Sequence, residues 1–362
     1  MTSSTERPVS ELWYTRCPVP TASSLAIAQG WLDDEFAADG ISVRSLRASA
    51  DDQVRESHFN HTQPDSFRQG GNIPPIWTRS RGSDVRLIGL SWAQQYQSIV
   101  ALKGSGIDGP EGLKGKKLAL ARRVNDQIDF WRATALRGYD SVLRHVGLSL
   151  DDVELVDLPV DELFLNGGAN PQAGTHSSSL FGAYTNRRLQ SAELLALLRG
   201  EVDAIYIAGG RGPDLEALVD IDVVFDITGH PDRSLAINNI TPAALTVSGT
   251  LLDERPDLVA RYLAATLRAA NWANENPVET RRIIAHEVGI AEDFVLPGYP
   301  GEIHANLTPS LDEELVAAIE SQQRFLLQHG FIEQDFDVRA WIDPAPLQAA
   351  HALLAESAAI AA

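Results

Sequence analysis

The chain has 362 residues, 44% hydrophobic and 22% charged, with a formal net charge of −19 at pH 7. That balance describes a globular protein with room for two domains of ordinary size. The acidic excess excludes nucleic acid and anionic membrane surfaces as partners, because both need a basic face to displace counterions.

An anionic small molecule would need its own buried arginine, since screening over about 8 Å at physiological salt lets pocket groups outweigh the global charge. Met1 to Val9 is polar and offers no signal peptide, and no apolar run is long enough to span a bilayer, so a cytoplasmic location is expected. One cysteine rules out an internal disulfide, and no Cys/His cluster has zinc-site spacing, so no structural metal site is expected.

In chain order, Leu12 to Tyr14 reads as a short strand stopped by Pro18 and Pro20, and apolar spacing predicts a helix from Ala22 to Phe36. The single cysteine, Cys17, lies at that strand-to-helix turn. A lone cysteine is ordinarily a small buried hydrophobe. A thiol before a helix N-terminus, however, sees the positive end of the dipole and becomes a candidate nucleophile if a base and an anion-holding group reach it. Gly40 ends the helix, and Ile41 to Leu46 alternates as a strand, which makes a β-α-β opening with parallel pairing.

Ser57 to Pro75 mixes His58, His61, Arg68, Gly70 and Gly71 with prolines and little periodicity, and is read as a structured loop entering a short helix. Val85 to Ser91, Ser98 to Leu102 and Leu118 to Ala121 are strands, and Asp126 to Val146 is a helix carrying Trp131. Val153 to Leu158 follows as a strand. Asn166 to Ser179, rich in Gly, Asn and Ser, is expected to be a long loop acting as a lid. Then come a helix over Glu193 to Leu198, a strand over Gly200 to Ile207, and a weak anion-cradle signal at Gly209 to Gly212. Strands over Val223 to Ile227 and Ala244 to Ser248 precede helices over Pro256 to Asn276, Pro277 to Glu287, Leu311 to His329 and Pro346 to Ile360.

The run Leu113-Lys114-Gly115-Lys116-Lys117-Leu118-Ala119, with Pro110 before it and a small-residue strand after it, resembles the crossover segment of type II periplasmic-binding-protein folds. Those include aliphatic-sulfonate and thiamine-precursor binding proteins. The resemblance implies an α/β chain of two lobes, each with a mixed, mostly parallel sheet flanked by helices and a site in the cleft. The first lobe is expected to hold residues 1–121 and 235–362, with Cys17, His58, Arg68 and Gly71. The inserted second lobe, 122–234, is expected to line the pocket.

Cys17, His58, Arg68 and Gly71 make a chemical set: a thiol, a candidate base or orienting imidazole, a guanidinium able to meet two anionic oxygens, and N–H donors from Gly70 and Gly71. Cys17-Pro18-Val19-Pro20, His58-Phe59 followed by Gln63-Pro64, and Arg68 followed by Gly70-Gly71 and Ile73-Pro74-Pro75 together resemble the 2'-hydroxybiphenyl-2-sulfinate desulfinase family of bacterial dibenzothiophene desulfurisation. The resemblance implies cofactor-free hydrolytic cleavage of the C–S bond of an aromatic sulfinate by a monomer. In it Cys17 is the catalytic thiol, His58 bonds to the thiol or the substrate, and Arg68 and the Gly71 N–H hold the sulfinate oxygens. Trp131 is a candidate aromatic wall. Either a Cys17 thiolate attacks sulfur or a Cys17 thiol protonates the ipso carbon. The alternatives are a solute-binding protein for a sulfonate or thiamine precursor, and a thiamine-pyrimidine synthase; the latter's cysteine-rich motif is missing.

Overall fold

The computed structural model describes residues 7–164 and 190–361. The expected lid at 166–179 lies outside the described residues. Ten strands form two five-stranded sheets. The first sheet contains β1 (Glu11–Arg16), β2 (Ser42–Ser45), β3 (Ser66–Gly70), β4 (Val85–Ser91) and, from far along the chain, β10 (Ala243–Ser248), in the order β2-β1-β3-β10-β4. The second contains β5 (Gln97–Leu102), β6 (Lys117–Arg123), β7 (Glu154–Val160), β8 (Ala204–Ala208) and β9 (Ile221–Asp226), in the order β7-β6-β8-β5-β9.

Each sheet is mixed and mostly parallel, as expected: four of its five strands run one way and one runs against them. β1 pairs in parallel with β2 and β3, whereas β10 runs antiparallel to both β3 and β4. In the second sheet β6 pairs in parallel with β7 and β8, and β5 runs antiparallel to β8 and β9. The antiparallel strand in each sheet is the one delivered by a crossing from the other lobe. Arriving from the opposite end, it cannot follow the βαβ direction.

The first crossing falls between Ser91 and Gln97, upstream of the expected boundary at residue 121, so the strands at 97–102 and 117–123 belong to the second sheet. The chain returns between Asp226 and Ala243. β4 and β5 are both buried apolar runs separated by a few residues. Nothing in their patterning distinguishes two neighbouring strands from one strand in each lobe.

Two local expectations change. The helix read over Ala22 to Phe36 is two helices, Ala22–Ala28 and Trp31–Ala37, broken at Gly30, whose φ of 75° is a left-handed conformation that glycine adopts without strain. The stretch read as a loop holds the end of a helix, Asp52–Asn60, and the strand β3, before the expected short helix, Ile73–Ser80. His58 therefore sits in the last turn of a helix, and Arg68 in a strand between β1 and β10.

Behind the first sheet the core is closed by Ala22–Ala28 and by the long helix Pro256–Glu275, where Phe67 stacks on Tyr262 at 3.7 Å between ring centres. Bridges from Leu87 to Ile342 and from Leu90 to Ser310 tie the C-terminal segment to the edge strand β4. Among the described residues no helix is long and apolar enough to cross a membrane.

Candidate active site

The carboxyl ends of β1 and β3 point into a cavity between the lobes with about 730 Å³ of empty space counted to its mouth. Cys17 follows the last residue of β1 and is 8% exposed. Its carbonyl accepts from the Val19 N–H at 2.8 Å, a tight turn that Pro18 and Pro20 brace. The side chain of Thr21 then caps the helix Ala22–Ala28. Just upstream, Arg16 forms a buried fork with Glu287 on the helix Pro277–Val288, donating Nε–H to Oε2 at 2.9 Å and Nη2–H to Oε1.

Cys17 meets β3 at Gly70. A Cβ at Gly70 would lie 2.5 Å from the thiol sulfur, and the Arg68 Nη1 is also within 4 Å of that point. Gly71 repeats the device, since a Cβ there would lie 2.5 Å from both Oδ1 and Nδ2 of Asn239. The paired glycines therefore make room for two side chains; no described residue accepts from the Gly71 N–H.

Arg68 is buried at 4% exposure, donates Nε–H to the His58 carbonyl at 3.4 Å, and donates Nη1–H to the Gly71 carbonyl. Those bonds fix the guanidinium plane. Nη2, with the second hydrogen of Nη1, is left to meet an anion. Burial pulls the Arg68 pKa down while the Cys17 charge pushes it up.

His58, 3% exposed, has a pKa held well below 6.5 by burial first and then by the charges of Arg47, Arg68 and His61. At neutral pH it is a neutral imidazole that can bond but does not hold a proton tightly. Sequence reasoning missed Arg47, which lies in the 3-10 turn Leu46–Ala48 that ends the second strand. Burial lowers its pKa to about 9, with the Cys17 charge opposing, so it adds a second buried cation within electrostatic reach of the thiol.

An aromatic cluster beside His58 also lines the cavity. Phe59, Phe130 and Phe164 meet at ring-centre separations of 5.1 to 6.2 Å, and Trp131 forms a further wall from the helix Phe130–His145. The Trp131 Nε1–H donates to the buried Glu193 carboxylate at 2.7 Å, which fixes the ring's orientation. Burial raises the Glu193 pKa, with the Trp131 bond opposing. Gly209 and Gly210 line the cavity, while Arg211 pairs with Asp214 at 2.6 Å, so the expected anion cradle there has its cation engaged elsewhere. Among the described residues no Asp or Glu lines the cavity. The structure thus brings Cys17, His58, Arg68, Gly71 and Trp131 around one space, with Gly70 directly beneath the thiol.

A two-lobed α/β chain with a ligand-sized cleft between mixed sheets is a type II periplasmic-binding-protein-like fold, here with a thiol and an arginine at one end of the cleft. The chain is similar to 2'-hydroxybiphenyl-2-sulfinate desulfinases. It is 28% identical to that protein from Rhodococcus erythropolis over 360 residues, covering 92% of this chain and 91% of the relative. A family model described as NMT1/THI5 like matches residues 25–170. The crystal structure of DSZB as a mutant in complex with biphenyl-2-sulfinic acid superposes with a TM-score of 0.71 at 24% identity, covering 94% of this chain and 98% of that one. The periplasmic aliphatic sulphonate binding protein SsuA from Escherichia coli shares the fold, with a TM-score of 0.63 at 16% identity over 93% of each chain.

Proposed function

We propose that this protein cleaves the C–S bond of an aromatic sulfinate with Cys17 as its catalytic thiol. The observation that carries the reading is one cavity whose described lining combines a thiol, a buried guanidinium and an aromatic cluster and holds no carboxylate. An aryl sulfinate has the matching parts: a flat apolar ring beside a small anion. In the reaction the C–S bond breaks, the ring carbon takes a proton, and water supplies the oxygen that turns the departing SO₂ group into hydrogen sulfite, with no cofactor. Arg68 and the Gly71 N–H hold the sulfinate oxygens, and Gly70 leaves space for the sulfur of Cys17. His58, neutral, bonds to thiol or substrate. Phe59, Phe130, Phe164 and Trp131 take the ring. The enzyme acts as a cytoplasmic monomer.

The similarity to desulfinases along nearly the whole chain supports this reading, and the shared fold of sulfonate-binding proteins sets the second one, a binding protein that holds an organic sulfonate without turnover. Sulfite release from 2'-hydroxybiphenyl-2-sulfinate separates them. The wild-type protein should release sulfite, and Cys17→Ser should abolish release while keeping the fold and binding the substrate. Tight binding with no release by the wild type would leave the binding-protein reading standing.

A further inference from the structure

Asn239 lies in the segment that carries the chain back from the second lobe to β10, and it lines the cavity beside Gly71. Both of its oxygens are engaged. Its main-chain carbonyl accepts from the Asn72 N–H at 2.6 Å, and its side-chain Oδ1 accepts from the Ile73 N–H at 2.9 Å. An N–H can donate only to the oxygen of the amide, so the Ile73 bond settles which end is oxygen and which is nitrogen. Nδ2 has no acceptor among the described residues and is not sealed from solvent, although the residue is only 7% exposed. The missing Cβ of Gly71 is what lets this amide come so close to the backbone.

The segment is held hard in place. Asn72 Nδ2 donates to the carbonyls of Asn238 and Pro242 at 2.7 and 2.8 Å, and Asn238 Oδ1 accepts from Gln95, Ile240 and Thr241. A donor built this rigidly is preorganised, and preorganised donors hold developing or resident negative charge without reorganisation.

We infer that Asn239 is a substrate-binding residue, its Nδ2–H donating to a sulfinate oxygen beside the Arg68 guanidinium and the Gly71 N–H. This rests on the proposed desulfinase reading. It makes the anion end a three-donor cradle drawn from β3, the residue after it, and the interlobe crossing, so that an anion bound there touches the connection between the lobes.

The test compares Asn239→Asp and Asn239→Ser with wild type. The aspartate keeps the shape and the acceptor for the Ile73 N–H, but replaces the donor with a charge that repels a sulfinate. At pH 7.5, kcat/KM for 2'-hydroxybiphenyl-2-sulfinate should fall on the order of a hundredfold in Asn239→Asp and about tenfold in Asn239→Ser. As the pH is lowered towards 5, the aspartate variant alone should regain activity relative to wild type, because a neutral carboxyl donates again; a purely structural role gives no such recovery. Inhibition or binding by benzenesulfinate, measured by calorimetry, should weaken in parallel.

If wild type turns over and both variants keep kcat/KM within twofold with an unchanged pH profile, the inference fails and the desulfinase reading stands. If wild type binds benzenesulfinate without releasing sulfite from the biphenyl substrate, the desulfinase reading fails, and the binding constants of the variants decide the donor by themselves. Absence of both binding and turnover in wild type overturns both.

Discussion

His58 shows how strongly position sets the chemistry of one side chain. In the last turn of the helix Asp52–Asn60 it is buried among Arg47, Arg68 and His61, and no carboxylate contributes to its shift. An imidazole so placed is neutral near pH 7 in the folded protein but takes up a proton below pH 6.5 in the unfolded chain. The folded pKa is depressed, so the unfolded state binds more protons below 6.5, and stability is full above that pH and declines as the pH falls beneath it. His61, whose pKa is also pulled down by burial and by Arg68, adds to the decline. We expect urea-unfolding stability to fall between pH 6.5 and 5 by up to about 1.4 kcal/mol per pH unit for each such histidine. His58→Asn should remove part of that slope while leaving the rest to His61. An unchanged slope would show that His58 is not held neutral by its surroundings.

At the scale of the element, the end of β1 is pinned by one buried ion pair. Arg16 and Glu287 join the strand that leads into Cys17 to the helix Pro277–Val288, and both are out of solvent. Removing Glu287 takes a buried counter-charge away from Arg16. Glu287→Ala should therefore cost about 3–5 kcal/mol of unfolding free energy, and turnover should fall with it because the thiol is the next residue along. The double change Arg16→Met with Glu287→Leu should restore most of the stability. A single-mutant loss below about 1 kcal/mol would place the anchoring of β1 elsewhere.

Much at this scale was legible in the sequence. The strand Val85–Ser91 and the helices beginning at Pro256 and Pro277 carry clear periodicity and proline starts, and the structure places them there. The site was legible as a set of residue types but not as elements. The helix Asp52–Asn60 and β3 are short, and they bury Ser57, His58, Arg68 and Gln69, polar side chains that periodicity reads as exposed. Arg47 and Asn239 gave no signal of their own. The Asn238-Asn239-Ile240-Thr241-Pro242 turn is a recognisable breaker, but what it faces is set by the start of the helix Ile73–Ser80, 166 residues away in sequence, as the bond from Asn72 Nδ2 to the Asn238 carbonyl shows.

Across the whole molecule, the two lobes are joined at crossings that form a buried polar network rather than loose connectors. Gln97 at the start of β5 donates Nε2–H to the Ala236 carbonyl at 2.9 Å, and its Oε1 accepts from the Tyr206 hydroxyl at 2.9 Å. That hydroxyl accepts in turn from Asn238 Nδ2 at 3.2 Å, and the Gln95 amide reaches Asn238 Oδ1 at 3.1 Å. Tyr206, on β8, is fully buried, and its ring lies against Gly138 so closely that a Cβ there would sit 2.4 Å away. One phenol thus links the outgoing crossing, the returning crossing and the helix that carries Trp131. Satisfied networks of this kind rigidify, and one broken member leaves its neighbours unpaired in a low-dielectric interior. Tyr206→Phe keeps the ring packing and removes only the hydroxyl, stranding Gln97 Oε1 and Asn238 Nδ2. We expect a loss of about 1–3 kcal/mol in unfolding free energy. Because Asn238 positions Asn239, affinity for an aryl sulfinate should weaken as well, although Tyr206 does not line the cavity. Equilibrium unfolding together with sulfinate-binding calorimetry on Tyr206→Phe tests both effects. Unchanged stability would mean that the lobes are held by apolar packing alone, and a stability loss without weaker binding would uncouple the crossing from the anion end of the cleft.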